Sequence, residues 1–212
     1  MEHKAQSKLY IVAAASADPG KLAAVLDAAA AATLLIAAEG STPLGAADAR
    51  PLVELAQSKG IAALINGDAQ LARTLRADGV HLPWGKDIAA RYAEAREILG
   101  TRYIIGVDVG RSRHDAMNFA EAGAEYIAFG IPSHVEDRDA AGARRRELIN
   151  WWSEIFEVPC VAFDVETTDE AVVLAEAGAD FVALRADDLT PAAAEALVGA
   201  VNEAARGPEA LA

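Results

Sequence analysis

Acidic side chains stand directly after most of the apolar segments of this 212-residue chain, and they are the first candidates for chemistry. Clustered carboxylates bind a hard cation, favour a cationic ligand, or raise one another's pKa. We predict catalytic roles for Asp108 and Asp164, because each follows an apolar run, where a charged group needs a partner or a ligand. The other acidic positions of this kind are Glu39, Asp68, Asp87 and Asp187.

Two histidines add to this set. His134 follows the sixth apolar run, and its position suits a general acid or base, so we predict that it acts with the two aspartates. His81 lies inside an apolar run, where a hydrogen-bonded core histidine is the alternative to a residue that binds substrate.

One basic run, Arg144–Arg146, stands near the predicted start of a helix, where positive charge opposes the helix dipole. It could hold an anionic ligand, or it could pair with the acidic residues that precede it. We favour pairing with Glu136, Asp137 and Asp139.

The composition excludes several classes of protein. A net charge of −13 repels a phosphate backbone, so we expect no nucleic-acid partner. No apolar run reaches the ~20 residues of a membrane span, so we expect no membrane partner. One cysteine, Cys160, excludes a disulfide framework within the chain, and the chain start lacks a signal-peptide pattern. These features predict a cytoplasmic protein.

Short apolar runs alternate with alanine-rich segments along the whole chain. The apolar runs are mostly continuous, as in strands that are buried on both faces. The predicted strands are Leu9–Ala14, Thr33–Ala38, Ile61–Asn66, Gly79–Leu82, Tyr103–Val109, Tyr126–Gly130, Cys160–Val165 and Phe181–Arg185. The predicted helices are Pro19–Ala31, Gly45–Ser58, Asp68–Ala77, Ile88–Leu99, Arg113–Ala122, Arg144–Phe156, Asp169–Ala177 and Pro191–Arg206.

Eight strand–helix units predict an α/β protein with the (β/α)8 TIM barrel fold. The alternative is a doubly wound open sheet, which usually stops at about five to seven strands. We expect one domain over residues 1–212, with frayed tails at 1–6 and 207–212. Sites in such barrels lie where the strands end, so the acidic residues should meet at the mouth and bind a small-molecule ligand there.

Several segments resemble the thiamine-phosphate synthase and TenI family. Leu64–Leu82 resembles the family's central segment, in which I-I-N-D precedes a short helix and G-A-D-G-V-H-L. Ile104–Val107 resembles its I-I-G-V strand, and Gly123–Gly130 resembles its G-A-D-Y-I-G-F-G strand. The resemblance extends from about residue 9 to residue 187 and itself implies a (β/α)8 barrel.

The resemblance implies a reaction, a cofactor and site residues. The synthases join hydroxymethylpyrimidine pyrophosphate to thiazole phosphate and release pyrophosphate, which needs Mg²⁺, cationic side chains and a glycine-rich phosphate cup. Asp68 and Asp87 are the candidate Mg²⁺ ligands. The candidate substrate-binding residues are Glu39, Asn66, His81, Trp84 and Arg185. Trp84, Trp151 and Trp152 are candidates for an interface or a lid, and a homodimer is left open.

The sequence departs from the family pattern where phosphate groups bind. The family's Q-L-R-E-K falls on Ile36–Gly40, and its metal-binding aspartate falls on Gly67. Its serine after I-I-G-V is Asp108, and its paired glycines after the seventh strand are Asp164-Val165. The histidine of the TenI type falls on Ile131.

Three hypotheses follow from these departures. The chain is a synthase with altered site chemistry, in which Arg144–Arg146 or Arg185 replaces the lost cations. It is a non-catalytic or regulatory paralogue that binds a small molecule in an acidic pocket. Or it is a different acid–base or metal-dependent enzyme on the same barrel.

Overall fold

The computed structural model describes residues 6–40, 42–132 and 134–206. Its strands are β1 (Lys8–Ala14), β2 (Thr33–Ala37), β3 (Ala62–Asn66), β4 (Gly79–Leu82), β5 (Ile104–Asp108), β6 (Tyr126–Phe129), β7 (Cys160–Ala162) and β8 (Phe181–Arg185). Its helices are α1 (Pro19–Ala28), α2 (Ala46–Ser58), α3 (Ala69–Leu75), α4 (Ile88–Leu99), α5 (Arg113–Glu121), α6 (Arg138–Ile155), α7 (Thr168–Glu176) and α8 (Pro191–Arg206). A short 3₁₀ turn, Ala186–Asp188, separates β8 from α8.

The eight strands form a closed parallel barrel in chain order, and β1 pairs with β8 to complete the ring. The structure therefore confirms the (β/α)8 barrel, and the open-sheet alternative is wrong. The predicted tails at residues 1–6 and 207–212 lie outside the described residues, apart from residue 6. In the described part of the chain, no helix has the length and apolar character needed to cross a bilayer.

Side chains alternate between the inside of the barrel and the surrounding helices. On β5, Ile105 and Val107 pack in the large core beneath the helices, whereas Ile104 packs against the cluster inside the barrel. That inner cluster consists of Tyr10, Leu35, Leu64, Tyr126, Ala128, Val161 and Ala183. Residues two positions further along these strands must therefore face the mouth, because side chains in a strand alternate with a period of two.

The Tyr126 ring fills the centre of the barrel because the neighbouring strand carries glycine. A methyl group at Gly106 would lie 1.8 Å from the Tyr126 ring, so any larger residue there would displace the ring. Gly106 is thus needed for its lack of a side chain.

Helix α6 begins six residues before its predicted start, at Arg138, because the Asp137 side chain caps it by accepting a hydrogen bond from the Ala140 amide at 2.9 Å. The run Arg144–Arg146 consequently lies in mid-helix. Strand β7 ends three residues earlier than predicted, and the backbone turns at Asp164, which adopts a φ of 55°.

The predicted pairing of the arginine run with the preceding loop is wrong for its first two members. Arg144 pairs with Glu147 on the same helix, at 2.9 Å. Arg145 is 0% exposed, and its partner is Glu170 on α7. Only Arg145 therefore links α6 to another element, whereas Arg144 forms an exposed pair within its own helix.

Candidate functional site

A cavity of about 490 Å³ opens at the carboxyl ends of the strands, where the fold predicts a site. The apolar part of its wall includes Val12, Leu35 and Phe163. The polar groups that face it are Asn66, Arg138, Asp164, Glu166, Arg185 and Asp188. Three of the predicted site residues, Asn66, Asp164 and Arg185, therefore line one cavity.

Asp108 and Asp164 face each other across Gly130. A methyl group at Gly130 would lie 2.6 Å from Oδ2 of Asp108 and 2.8 Å from Oδ2 of Asp164. Each carboxylate is fixed by backbone amides: Oδ1 of Asp108 accepts from Gly110 at 2.8 Å, and Oδ2 of Asp164 accepts from Ile131 at 2.9 Å. The lack of a side chain at Gly130 leaves room for the two carboxylates.

The environment of this pair favours a protonated carboxyl. Asp108 is only 6% exposed, and burial raises its pKa to about 7, with a further upward contribution from the charge of Asp164. Burial also raises the pKa of Asp164, although the amide of Ile131 and the guanidinium of Arg145 act in the opposite direction. Because a carboxyl with a pKa near 7 both donates and accepts a proton at neutral pH, Asp108 is suited to acid–base chemistry.

Two arginines hold the Asp164 segment in place. Arg145 donates to the backbone oxygens of Phe163 and Asp164, the second at 3.1 Å. Arg138 donates to Ile131 O at 3.2 Å and to the Glu166 carboxylate at 2.6 Å. Arg138 is not among the site residues predicted from the sequence. The signal that could have found it is Asp137, a capping residue that places Arg138 at the start of a helix.

Inside the barrel, His81 belongs to a chain of hydrogen bonds. Its Nδ1 lies 2.9 Å from the Tyr126 hydroxyl, which lies 3.0 Å from the Tyr10 hydroxyl. If Tyr10 donates to Tyr126 and Tyr126 donates to His81, both hydroxyl protons are used. His81 then carries its proton on Nε2, a buried atom with no hydrogen-bond partner in the described part of the chain.

His81 is neutral in this setting. It is 1% exposed, and burial lowers its pKa to about 3, with a smaller contribution from the charge of Arg91. Asn66 stands opposite it in the pairing of β3 with β4, and the Asn66 Oδ1 is likewise buried without a partner among the described residues. Substrate binding by His81 stays a prediction, and the hydrogen-bonded core arrangement is what the structure shows.

The remaining predicted residues lie around the rim. Glu39 accepts a hydrogen bond from Ser16 in a separate hollow of about 300 Å³ between the β1 and β2 ends and α2. The rings of Trp84 and His134 lie side by side, with centroids 5.2 Å apart and their planes tilted by 36°. His134 is exposed and makes no hydrogen bond to Asp108 or Asp164 in the described structure, so the predicted catalytic trio is not assembled.

The residues at the position of the family's metal do not fit Mg²⁺. Asp68 already caps α3, because its Oδ1 accepts from the Leu71 amide at 2.8 Å. A methyl group at Gly67 would lie 3.5 Å from Nη2 of Arg91, so a guanidinium lies in contact with the position from which the family's aspartate would project. Among the described residues, no group of three or more His, Cys, Asp or Glu side chains is close enough to hold a metal ion.

Comparisons with known proteins agree with the fold. The family model described as thiamine monophosphate synthase matches residues 9–187. The thiamine-phosphate synthase of Erythrobacter litoralis is 45% identical over 138 residues, which is 64% of this chain and 63% of that protein. That of Rhodospirillum centenum is 38% identical over 159 residues, 74% of each chain.

The match with the Erythrobacter litoralis protein thus covers just under two thirds of that relative's length. Among solved structures, a thiamine phosphate pyrophosphorylase from Pyrococcus furiosus superposes with a TM-score of 0.72 at 21% identity. That alignment covers 93% of this chain and 96% of the other and supports the barrel fold. From the family match and the identities to these relatives, the chain belongs to the thiamine monophosphate synthase family.

Proposed function

We propose that this chain binds a neutral or cationic heterocycle of thiamine biosynthesis in its mouth cavity and does not displace diphosphate. The observation that carries this proposal is the charge of the cavity wall. Three carboxylates, Asp164, Glu166 and Asp188, face two guanidiniums, Arg138 and Arg185.

Both guanidiniums already lie beside carboxylates of the chain. Arg138 is held by the Glu166 carboxylate at 2.6 Å. Arg185 is 64% exposed and lies 3.7 Å and 4.0 Å from the carboxylates of Asp187 and Asp188. Because transfer from a diphosphate needs cations on the leaving group, a wall with more carboxylates than guanidiniums opposes that reaction.

A ring ligand suits the same cavity. Its volume of about 490 Å³ is within the range typical of small-molecule sites. Phe163 and Leu35 offer an apolar surface, and Asn66, which lines the same cavity, offers a side-chain amide to polar groups of a ring ligand. A positively charged ring would be further favoured by the carboxylates at the rim.

A second candidate function is proton transfer on the bound ring. It is favoured by the carboxyl pair across Gly130, where Asp108 has a pKa of about 7. Asp164 would contact the ligand, because it lines the cavity. Asp108, which is buried on the far side of Gly130, would exchange a proton with Asp164.

Two measurements test the proposal. The first incubates the protein with hydroxymethylpyrimidine pyrophosphate, thiazole phosphate and Mg²⁺ and follows thiamine phosphate. We expect no turnover, and an ordinary enzymatic rate, about 10 s⁻¹, would overturn the proposal. The second compares, by calorimetry, thiazole alcohol and thiamine with their phosphate esters, and we expect the unphosphorylated forms to bind at least tenfold more tightly.

A variant identifies the cause of that selectivity. Glu166→Gln releases Arg138 from its carboxylate partner, so affinity for the phosphate esters should rise several-fold relative to the unphosphorylated ligands. Glu157→Gln is the matched control, because Glu157 is exposed in the segment before β7, at the opposite end of the barrel. Equal effects of both substitutions would show that the cavity charge does not set the selectivity.

A further inference from the structure

Arg91 extends from the first turn of α4 into the space between the β3–α3 and β4–α4 loops. Its Nη1 donates to Pro83 O at 3.1 Å. Methyl groups at Gly67 and Gly85 would lie 3.5 Å from Nη2 and 3.6 Å from Nη1, so the guanidinium spans the two loops.

The two aspartates predicted to bind Mg²⁺ flank this guanidinium. Asp68 and Arg91 line the same narrow hollow of about 120 Å³. A methyl group placed on Gly85 would lie 3.0 Å from Oδ1 of Asp87 and 3.6 Å from Nη1 of Arg91, so Asp87 and Arg91 are both close to this glycine. No carboxylate of the described residues forms an ion pair with Arg91 within 4.0 Å. The positive charge of Arg91 is therefore not neutralised by a direct partner and acts on the whole hollow.

The charge of Arg91 acts on its surroundings. It contributes, after burial, to the lowered pKa of His81. A divalent ion placed between the same loops would be repelled by this fixed charge at contact distance. It would also find Asp68 with one oxygen already committed to the α3 amide.

We propose that Arg91 takes the place of the divalent metal in this chain. The guanidinium is the resident cation between the two loops, and the ligand is bound without Mg²⁺. This inference stands apart from the identity of the ligand, because cation binding can be measured with the metal alone.

The experiment titrates Mn²⁺ into the full chain and measures the free ion by electron paramagnetic resonance. The wild-type protein should bind Mn²⁺ weakly. Arg73→Met, which removes an arginine from the neighbouring helix α3, is the control and should bind Mn²⁺ as weakly as the wild type. Arg91→Met should bind Mn²⁺ at least tenfold more tightly, because it uncovers Asp68 and Asp87. Adding Asp87→Asn to Arg91→Met should remove that gain.

A second variant tests the family's aspartate position. Gly67 has a φ of 75°, a conformation that aspartate tolerates better than most residues. Gly67→Asp alone should not gain Mn²⁺, because the new carboxylate would pair with Arg91, whereas Gly67→Asp combined with Arg91→Met should bind most tightly of all.

Several results would overturn the inference. Wild-type binding of Mn²⁺ that is lost in Asp68→Asn or Asp87→Asn would show that the metal site persists beside Arg91. No gain in a folded Arg91→Met protein would show that Arg91 does not exclude the ion. If Arg91→Met failed to fold, the wild-type titration with its two aspartate variants would still decide. Synthesis of thiamine phosphate without added metal would overturn the proposed function and leave this inference standing.

Discussion

Replacement of Asp108 by asparagine is expected to stabilise the protein above neutral pH, although it alters a central residue of the mouth. Burial and the facing Asp164 carboxylate raise the pKa of Asp108 to about 7 from an ordinary value of 3.8. A raised carboxyl pKa means that the folded state retains a proton that the unfolded chain releases. The free energy of unfolding therefore falls as the pH rises from about 4 to about 7.

The size of the effect follows from that shift. A shift of about three units corresponds to roughly 4 kcal/mol of lost stability above pH 7, at 1.36 kcal/mol per unit. Relaxation around the ionised group reduces this, so we expect about 2–4 kcal/mol. Asparagine keeps an oxygen to accept from the Gly110 and Gly130 amides and presents an amide, in place of a second carboxylate, to Asp164.

The assay is thermal and urea unfolding of the wild type and Asp108→Asn at pH 5, 6, 7 and 8. At pH 5 the variant should already be more stable by roughly 1–2 kcal/mol, because the unfolded wild-type chain has released the proton that Asp108 keeps in the folded state, and this difference should grow up to about pH 7. At pH 8 the variant should have a Tm higher by about 5–10 °C, since 1 kcal/mol moves the Tm of a chain of this size by about 2–4 °C.

Asp187→Asn is the control, because it removes an exposed carboxylate at the same rim and leaves the Asp108–Asp164 pair intact. A stability difference that stays constant from pH 5 to pH 8 would refute the reasoning. A variant less stable than the wild type at pH 8 would do so too, because it would mean that Asp108 is ionised and well satisfied in the folded protein.

Three further substitutions test other contacts by thermal unfolding. Gly130→Ala should cost about 1–3 kcal/mol, because its methyl group collides with two carboxylate oxygens, whereas Gly199→Ala, in open space on α8, should cost nothing; equal effects would contradict the packing argument. Arg145→Met should cost roughly 3–5 kcal/mol, because two backbone oxygens and a carboxylate lose a buried donor; a neutral result would show that the β7 end does not depend on it. Tyr126→Phe should cost roughly 1–3 kcal/mol by breaking the chain to His81, and an unchanged Tm would mean that water replaces the hydroxyl.

The fold could be predicted because its strands are buried on both faces. Such strands appear in the sequence as continuous apolar runs, and eight of them with intervening helices suffice to indicate a closed barrel. The sequence prediction starts α6 at Arg144, whereas the helix begins at Arg138, because Asp137 directly before it is an ordinary capping residue.

The candidate site could be predicted only in part. The sequence identified Asp108 and Asp164 as charged groups that follow apolar runs, but their meeting across Gly130 depends on the register of β5, β6 and β7. The hydrogen bond between Tyr10 and Tyr126 joins residues 116 positions apart, and no local pattern announces it. Long-range pairing of this kind is fixed by closure of the barrel.

Two kinds of change at the mouth alter the charges that the family resemblance implies. Carboxylates, Asp108 and Asp164, stand where the family has a serine and glycines for phosphate, and a guanidinium, Arg91, stands beside the metal position. Either change alone would leave an uncompensated charge at the mouth. The carboxylates without Arg91 would attract a metal ion, and Arg91 in a site that still needed a metal ion would repel it. On our proposals the two changes belong together, because a ligand without diphosphate needs neither phosphate donors nor Mg²⁺. Restoring one side by Arg91→Met should therefore bring back cation binding without bringing back thiamine phosphate synthesis.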